Sequence, residues 1–562
     1  MKLTGAQIVC ECLLREGVNV IFGYPGGAIL PLYDALPQYP QLRHVLVRHE
    51  QAAAHAADGL ARATGGVGVC FATSGPGATN LVTGIACASM DSIPVVAITG
   101  GVTRNNIGKD AFQEADITGI TLPITKHNYL VLDVADLARV IKEAFYIART
   151  GRPGPVLVDI PKDVLQEITE FNYPGQVSVQ GYKPSINGHP SQIKKAGRLI
   201  NESRRPVIIA GHGVIISQAY GELKDLAEKA QVPVVTTLLG VSSFPTDHVL
   251  SLGMGGMHGT PYASLTINRA DVVIALGIRF DDRLTGKPSA YIPNAKVIHI
   301  DIDPAELGKN IKPDVPIVGD LKRVLEVLNQ HVERISRFEW LQEIEEVRKE
   351  HPLRLRDTTK LLPQYILKEI SRATDGHAMV VTGVGQHQMW AAQYFTFKDS
   401  NSWITSGGAG AMGFELPAAV GAQLGRPDLS VWSIAGDGGF QMTMYELATM
   451  VENQLPVKIA IINNKNLGMV RQLQKFFYDK NFVAIDFPGN PDFVKLAEAY
   501  GILGLRVTDR EQVVPTVKKA LEHKGPVVID FVVDPEEYVY PTIPSGQTVA
   551  EMIEEPMQEL VQ

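Results

Sequence analysis

The sequence predicts an α/β protein built from three doubly wound parallel sheets. Three observations carry that prediction. Short apolar runs alternate with stretches of helical spacing; many of those runs end in glycine-rich turns; and the alternation falls into three blocks of similar size along 562 residues. Runs such as IPVVAITG and RPVIIAG are apolar without period-two alternation. That is the pattern of strands covered on both faces, as parallel strands are. A chain of this length is expected to hold three domains or four.

The opening MKLTGAQIVCECLLREG has the spacing of an amphipathic helix, with neither an apolar signal core nor an Arg- and Ser-rich transit segment. Block one then offers the strands VNVIFG, GVGVCFAT, IPVVAITG and GPVLVDI. Block two offers RPVIIAG, VPVVTT, ADVVIALG and AKVIHIDI. Block three offers AMVVTG, LSVWSIAG, VKIAIINN and PVVIDFVV. Between the second and third of these last runs, FQMTMYELATMVENQ has helical spacing and many helix formers. Two connectors separate the blocks: a Pro-, Gly- and Ser-rich stretch at 170–192, and a highly charged one at 331–360 that is helical in part. The expected division is therefore 1–170, 190–335 and 360–545, followed by a tail at 546–562. Blocks one and three share a habit, a buried strand running into a Gly-rich turn that opens a helix, TSGPGATN in one and AGDGGFQM in the other. They read as two related domains facing one another.

Composition narrows the function classes. A net charge of -8 argues against nucleic acid as the main partner and supplies no basic patch for a membrane surface. No apolar stretch approaches the roughly 18 residues of a membrane span, and a cytoplasmic protein is expected. Cys10, Cys12, Cys70 and Cys87 show neither zinc spacing nor a disulfide framework and read as buried small apolar residues.

Chemistry gathers at the carboxyl ends of strands, the edge where open α/β sheets bind ligands. Asp437 sits among Gly436, Gly438 and Gly439, and Asn464 closes the next strand. A carboxylate and an amide oxygen suit Mg²⁺, and glycines let backbone approach a phosphate. The turn NLGM that follows has carbonyls to complete an octahedron. Alone, GDG is also a tight turn with an Asx or capping role; paired with the asparagines, the metal–phosphate reading is the more specific. In block two, GHG at 211–213 follows a strand, but Ile216 stands where the dinucleotide signature needs its third glycine. Asp301, ending AKVIHIDI, is placed to accept a ribose hydroxyl.

The GDG–NN pair resembles the thiamin-diphosphate fingerprint, and other motifs are similar to those of the acetolactate (acetohydroxyacid) synthase catalytic-subunit family. They include GYPGGAILPLYDAL, RHEQAAAHAADGLARATG, TSGPGATN, DAFQE, GRPGPVLVDIPKDV, RFDDRLTG, HIDIDPAELGKN, VGQHQMWAAQ and GAMGFELPAA, and extend over nearly the whole chain. The resemblance implies the three-domain thiamin-diphosphate enzyme architecture, with pyrimidine-binding, FAD-binding and diphosphate-binding domains in that order and the tail near the active site. It implies that Glu50 serves the coenzyme's pyrimidine ring, although alone it is equally a first-turn helix carboxylate. Pro25, Gly26, Thr73, Pro76, Asn80 and Gln113 would form the pyrimidine side. Gln386 and His387 would meet the diphosphate, His387 otherwise being a satisfied polar residue. Met412 would prop the coenzyme, with Gly410, Leu467, Gly468 and Met469 around it, and Asp437, Asn464 and the carbonyl of Asn466 would ligate Mg²⁺. Arg152, Gly211, Gly213, Met257 and His258 would lie near FAD, as would Arg279, Asp281, Asp301, Ile302 and Asp320; an empty middle domain is the alternative. His212 replaces a glycine usual in the family.

The activity implied is decarboxylation of pyruvate and transfer of the two-carbon unit to a second 2-ketoacid, pyruvate or 2-ketobutyrate, an early step of branched-chain amino acid synthesis. Arg283 would contact the acceptor carboxylate with Asp282 holding it, and Phe112 and Lys162 match substrate-side positions. Leu473 stands where the family has tryptophan, which predicts a weaker preference for 2-ketobutyrate. Thr103 replaces a common proline, and Glu415 and Gly383 replace a common glycine and aspartate. The site would join block one of one subunit to block three of another, in a homodimer or homotetramer, with a small regulatory subunit as a further partner. Rival readings are another thiamin-dependent carboligase or decarboxylase, including a catabolic acetolactate synthase, a nicotinamide-dependent oxidoreductase, and a non-catalytic paralogue.

Overall fold

A computed structural model describes residues 1–356 and 358–555; residues 556–562 of the expected tail lie outside them. The chain builds three six-stranded sheets, all parallel, covered by helices. The first unit orders its strands Arg43–Leu46, Val20–Gly23, Gly68–Ala72, Val95–Gly101, Val156–Pro161, His127–Leu130. The third orders Trp403–Thr405, Ala378–Thr382, Ser430–Gly436, Lys458–Asn463, Val527–Val532, Leu503–Val507. Numbered by position in the chain, both are 2-1-3-4-6-5, so the two units share one topology. The middle unit runs Ser251–Met254, Val234–Thr236, Pro206–Ala210, Val272–Leu276, Lys296–Asp301, Val315–Val318. That is 3-2-1-4-5-6, the order of dinucleotide-binding sheets. The broken GHG signature concealed a dinucleotide topology.

Units one and three meet through equivalent helices, Glu50–Thr64 and Glu415–Gly425, each lying between the second and third strands of its unit. Small residues let their backbones touch. A Cβ on Gly59 would overlap the Ala418 carbonyl, and one on Gly421 the Ala56 carbonyl. Ala52, Ala53, Ala418 and Ala419 thus belong to one continuous core spanning both units.

Three segments depart from expectation. The amino terminus first makes a short strand, Lys2–Thr4, antiparallel to Ile168–Glu170, before the helix Gly5–Arg15 begins behind a Thr4–Gln7 capping box. The charged stretch 331–360 is more than a connector. Its helix Phe338–Glu350 buries Trp340, Ile344 and Val347 along one face, and Trp340 Nε1 donates to Pro206 O at 3.0 Å, fixing it to the middle sheet. The helix expected after Asp437 breaks into Asp437–Thr443, Met444–Glu446 and Leu447–Glu452. There Thr443 Oγ1 donates to Gly413 O at 2.9 Å and Glu446 Oε1 accepts from Arg48 N at 2.8 Å, so bonds to distant segments compete with a straight helix. All four cysteines are free and buried. No helix among the described residues is long and apolar enough to cross a membrane.

Candidate active site

In the third unit the strand order reverses between Ala378–Thr382 and Ser430–Gly436, and the crevice at that reversal holds the glycine-rich turn. A Cβ on Gly436 would stand 3.0 Å from the His387 ring, and one on Gly438 2.9 Å from Phe487. One on Gly468 would overlap Gln386 Oε1 and Asn464 Nδ2, with Leu467 closing the far side of Gly438. Close approach forbids side chains here, so backbone lines the crevice.

Asp437 is 1% exposed, and burial pushes its carboxyl up to about 6. Asn490 Nδ2 donates to its Oδ2 at 2.6 Å, and the Lys465 N–H also faces it. The next strand thereby delivers its closing turn beside the carboxylate, and the structure brings Asp437, Asn464 and Asn466 together. Asn464 Oδ1 accepts from Asn466 N at 3.2 Å, while Asn466 Oδ1 is buried with no partner among the described residues. The expected donor on Asn466 was its backbone carbonyl; the unsatisfied oxygen is on its side chain. A desolvated carboxylate beside an orphaned amide oxygen is a donor set for a hard cation. His387 is buried with Nε2 unpartnered among the described residues, so it is no satisfied core histidine, and burial lowers its ring to about 4, keeping it neutral. Gln386 spends its amide inside the protein, donating to Gln472 Oε1 at 3.0 Å and to Glu537 O at 3.1 Å. Asn490 was missed from sequence because its loop, FPGNPD, carries no motif.

The first unit repeats the arrangement. Glu50 opens its helix behind the His49 cap and is 9% exposed. Asn80 Nδ2 donates to Glu50 Oε2 at 2.9 Å, leaving Oε1 3.2 Å from where a Cβ on Gly77 would sit. Pro76 starts the short helix Pro76–Asn80, and Thr73 lies against Gly26, just after Pro25, with Ala28 N donating to its Oγ1 at 3.2 Å. Gln113, at φ 58°, packs under Gly75; Phe112 beside it is 87% exposed. Lys162 begins the helix after Val156–Pro161. None of these residues lines the large cavity between the middle and third units, which the first unit reaches only elsewhere, through residues such as Asp91 and Arg152.

That cavity, about 1140 Å³, opens at the carboxyl edges of the middle and third sheets. Gly213, Met257, His258, Arg279, Asp281, Asp301, Ile302 and Asp320 line its middle side, Arg152 reaches it from the first unit, and Gly410, Met412, Met469 and Leu473 line the third unit's side. Gly211 lies just behind, its backbone pressed on Gly277. Burial raises the Asp301 carboxyl to about 7. All three acids already accept from backbone: Asp281 from Arg283 N and Leu284 N, each at 3.1 Å, and Asp320 from Arg323 N at 3.2 Å, as helix caps, and Asp301 from Asp303 N at 2.8 Å. The expected pairing of Asp282 with Arg283 is present but loose. Their side chains are 3.8 Å apart and 69% and 68% exposed, a separation and exposure at which an ion pair restrains little. Arg283 Nη1 instead touches Met257 Sδ at 3.5 Å. His212 donates from Nδ1 to the Asp91 carbonyl at 2.9 Å, tying the middle unit to the first.

Three family models match, each described as thiamine pyrophosphate enzyme: the N-terminal TPP binding domain over residues 3–120, the central domain over 193–328 and the C-terminal TPP binding domain over 383–531. Among characterised proteins, the chain is 52% identical to the acetolactate synthase large subunit of Mycobacterium tuberculosis over 97% of its own length and 90% of that protein's. It is 48% identical to the acetolactate synthase large subunit of Corynebacterium glutamicum, covering 97% and 89%. It is also 46% identical to acetolactate synthase 1, chloroplastic, of Nicotiana tabacum, covering 98% and 85%. With a shared three-unit α/β build and matches that extend from end to end, the chain belongs to the acetolactate synthase large-subunit family of thiamine-pyrophosphate-dependent enzymes.

Proposed function

We propose that this chain makes acetolactate from two molecules of pyruvate, using thiamin diphosphate and Mg²⁺ at the third unit's crevice and carrying FAD in the middle cavity. The observation that carries the reading is that crevice, where a buried Asp437 carboxylate and the orphaned Asn466 oxygen meet a turn too tight for any side chain but hydrogen. Asp437, Asn464 and Asn466 would hold Mg²⁺, which neutralises the diphosphate; the glycines 436, 438 and 439 would bring backbone to it. When bound, thiamin diphosphate supplies the nucleophilic carbon and the electron sink for losing CO₂ from a 2-ketoacid.

The chain's own residues do the rest. Glu50, with one oxygen held by Asn80, has the other available to keep a proton at the coenzyme's pyrimidine. Met412, Met469 and Leu473 supply an apolar wall that keeps water from the reacting carbon. Arg283, loosely held and exposed to the cavity, suits a 2-ketoacid carboxylate, which a guanidinium can bind bidentately. Leu473 leaves the acceptor pocket without an aromatic wall, which favours pyruvate over 2-ketobutyrate. The dinucleotide strand order and the size of the cavity support FAD, as does the close backbone approach of Gly211 and Gly213 to Gly277.

The active site would be shared between copies, as a homodimer or a dimer of dimers, since the Glu50 edge stands apart from the cavity within one chain. A small regulatory subunit, cytoplasmic location, the division at 1–170, 190–335 and 360–545, and a tail near the active site complete the reading. The test is an assay of the purified chain with pyruvate, thiamin diphosphate and Mg²⁺, read as acetolactate, alongside a visible spectrum for flavin. Acetaldehyde or tartronate semialdehyde as the product would overturn it.

A further inference from the structure

Glu415 is a buried acid with no task in the reading above. It opens Glu415–Gly425 as Glu50 opens Glu50–Thr64, and these are equivalent helices of units that share one topology. The correspondence reaches the side chains. Glu50 Oε1 lies 3.2 Å from a Cβ placed on Gly77; Glu415 Oε1 lies 3.1 Å from one placed on Gly439. Each of these glycines follows the third strand of its unit. The partners differ, however. Three residues past Gly77 stands Asn80, which bonds Glu50; three past Gly439 stands Met442, which has no polar hydrogen to give.

Glu415 is 0% exposed, and neither carboxyl oxygen has a hydrogen-bond partner among the described residues. A Cβ on Gly383 would overlap Oε2, so glycine at 383 makes room for this carboxyl. The two departures from the family pattern occupy one space. Glu415 therefore points at the back of the Gly438–Gly439 turn from inside the protein.

No cation among the described residues is directed at it. The strands Ala378–Thr382 and Ser430–Gly436 carry no titratable side chain. Helix Glu50–Thr64 brings Glu50, bonded to Asn80, and His55, whose ring packs on Phe414 and is held neutral near 3 by burial. It also brings Asp58 and Arg62, paired at 2.5 Å. On the remaining side stand Asp437, bonded to Asn490, then Tyr445 and Glu446, the latter bonded to Arg48 N and Thr449 Oγ1. Burial pushes Glu415 up to about 7, opposed by the N–H groups of Glu415 itself and of Gly413.

We propose that Glu415 is a positioning residue of the diphosphate cradle, seated as a neutral carboxyl and taking up a proton when an anionic tail binds across Gly438–Gly439. This deepens, and rests on, the cofactor reading given above. A second negative charge behind the turn would repel the anion through a desolvated, poorly screened interior, whereas the protonated acid does not. Affinity for the cofactor is then full below the free group's titration and falls as pH rises through it.

The test is calorimetric titration of the full chain with thiamin diphosphate in excess Mg²⁺ at pH 6 and pH 8, in two buffers of different ionisation enthalpy, for wild type and Glu415→Gln. At pH 8 wild type is expected to take up about one proton more per site than the variant and to bind about tenfold more weakly; at pH 6 the two agree within about twofold. The ionisation of the diphosphate itself is common to both proteins and cancels. Equal proton uptake and equal affinity at pH 8 would overturn the proposal. If the variant does not fold, wild type at pH 8 decides, because the free diphosphate is already ionised there: net proton uptake supports the proposal, and none overturns it. Failure of thiamin diphosphate to bind either protein at pH 6 overturns the cofactor reading instead.

Discussion

Glu50 keeps its carboxyl in place with one bond to Asn80 and a close approach to Gly77, so an amide of the same shape fits the space but cannot exchange a proton. Glu50→Gln is expected to lower kcat by about 10²- to 10⁴-fold, with thiamin diphosphate binding and thermal stability retained; steady-state kinetics beside a melting curve checks this. Leu473→Trp restores an aromatic wall to the cavity and should shift acceptor preference toward 2-ketobutyrate by about 1–3 kcal/mol, read from competition between the two acceptors. Asp159 tests the cost of burial away from the site. It is 9% exposed, its carboxyl is pushed up to about 6 by desolvation, and Thr99 Oγ1 donates to it at 2.6 Å. Because the folded value lies above the unfolded one, the folded state holds the extra proton, and stability falls as pH rises from about 4 to about 6. Asp159→Asn should therefore gain about 1–3 kcal/mol at pH 7 and nothing below pH 4, in urea unfolding at the two pH values. The residues proposed for the site could be picked out because they sit in short runs beside glycines. Asn490 and the shared space of Gly383 and Glu415 could not be, because those contacts join segments far apart in the chain.

At the scale of elements, every strand named from sequence is one of the four inner strands of its six-stranded sheet, and the strands missed in those three sheets are their six edges. Inner parallel strands are covered on both faces and read as unbroken apolar runs. Edges such as HNYL and LGLRV are part exposed and mix polar with apolar residues, so no period marks them. The helix Phe338–Glu350, expected within the charged stretch, packs on the middle sheet in a way the sequence did not show, since three buried residues among many charges leave only a narrow stripe. The crossing of Glu50–Thr64 with Glu415–Gly425 depends on backbone contact. Gly421→Val would drive a side chain into the Ala56 carbonyl and should cost about 3 kcal/mol or more, since neither helix can retreat from the core they share. Gly221→Ala, in a helix where a Cβ meets nothing within 4 Å, should be neutral or slightly stabilising and serves as the control. Thermal unfolding of both variants distinguishes them.

For the whole molecule, the question is whether one chain suffices. The Glu50 edge lines no part of the cavity walled by Met412 and Leu473, and Phe112 and Leu473 are 87% and 41% exposed. If a site takes its first unit from one copy and its third from another, two dead variants complement each other. Mixing Glu50→Gln subunits with Asp437→Ala subunits, dissociated and reassembled at equal amounts, should recover about a quarter of wild-type activity: half the dimers are mixed, and one of the two sites in each is intact. Sites closed within single chains would recover none.

The amino-acid order by itself determined the number of units, their inner strands, the glycine turns at the carboxyl edges and the residues that chemistry needs there, because these follow from burial on two faces and from backbone space over a few neighbouring positions. Tertiary structure alone decided how the units pack, that the middle sheet takes the dinucleotide order behind an imperfect signature, and that a glutamate and a glycine 32 positions apart occupy the same few cubic ångströms. Such facts depend on distances between residues remote in sequence, which no local spacing encodes.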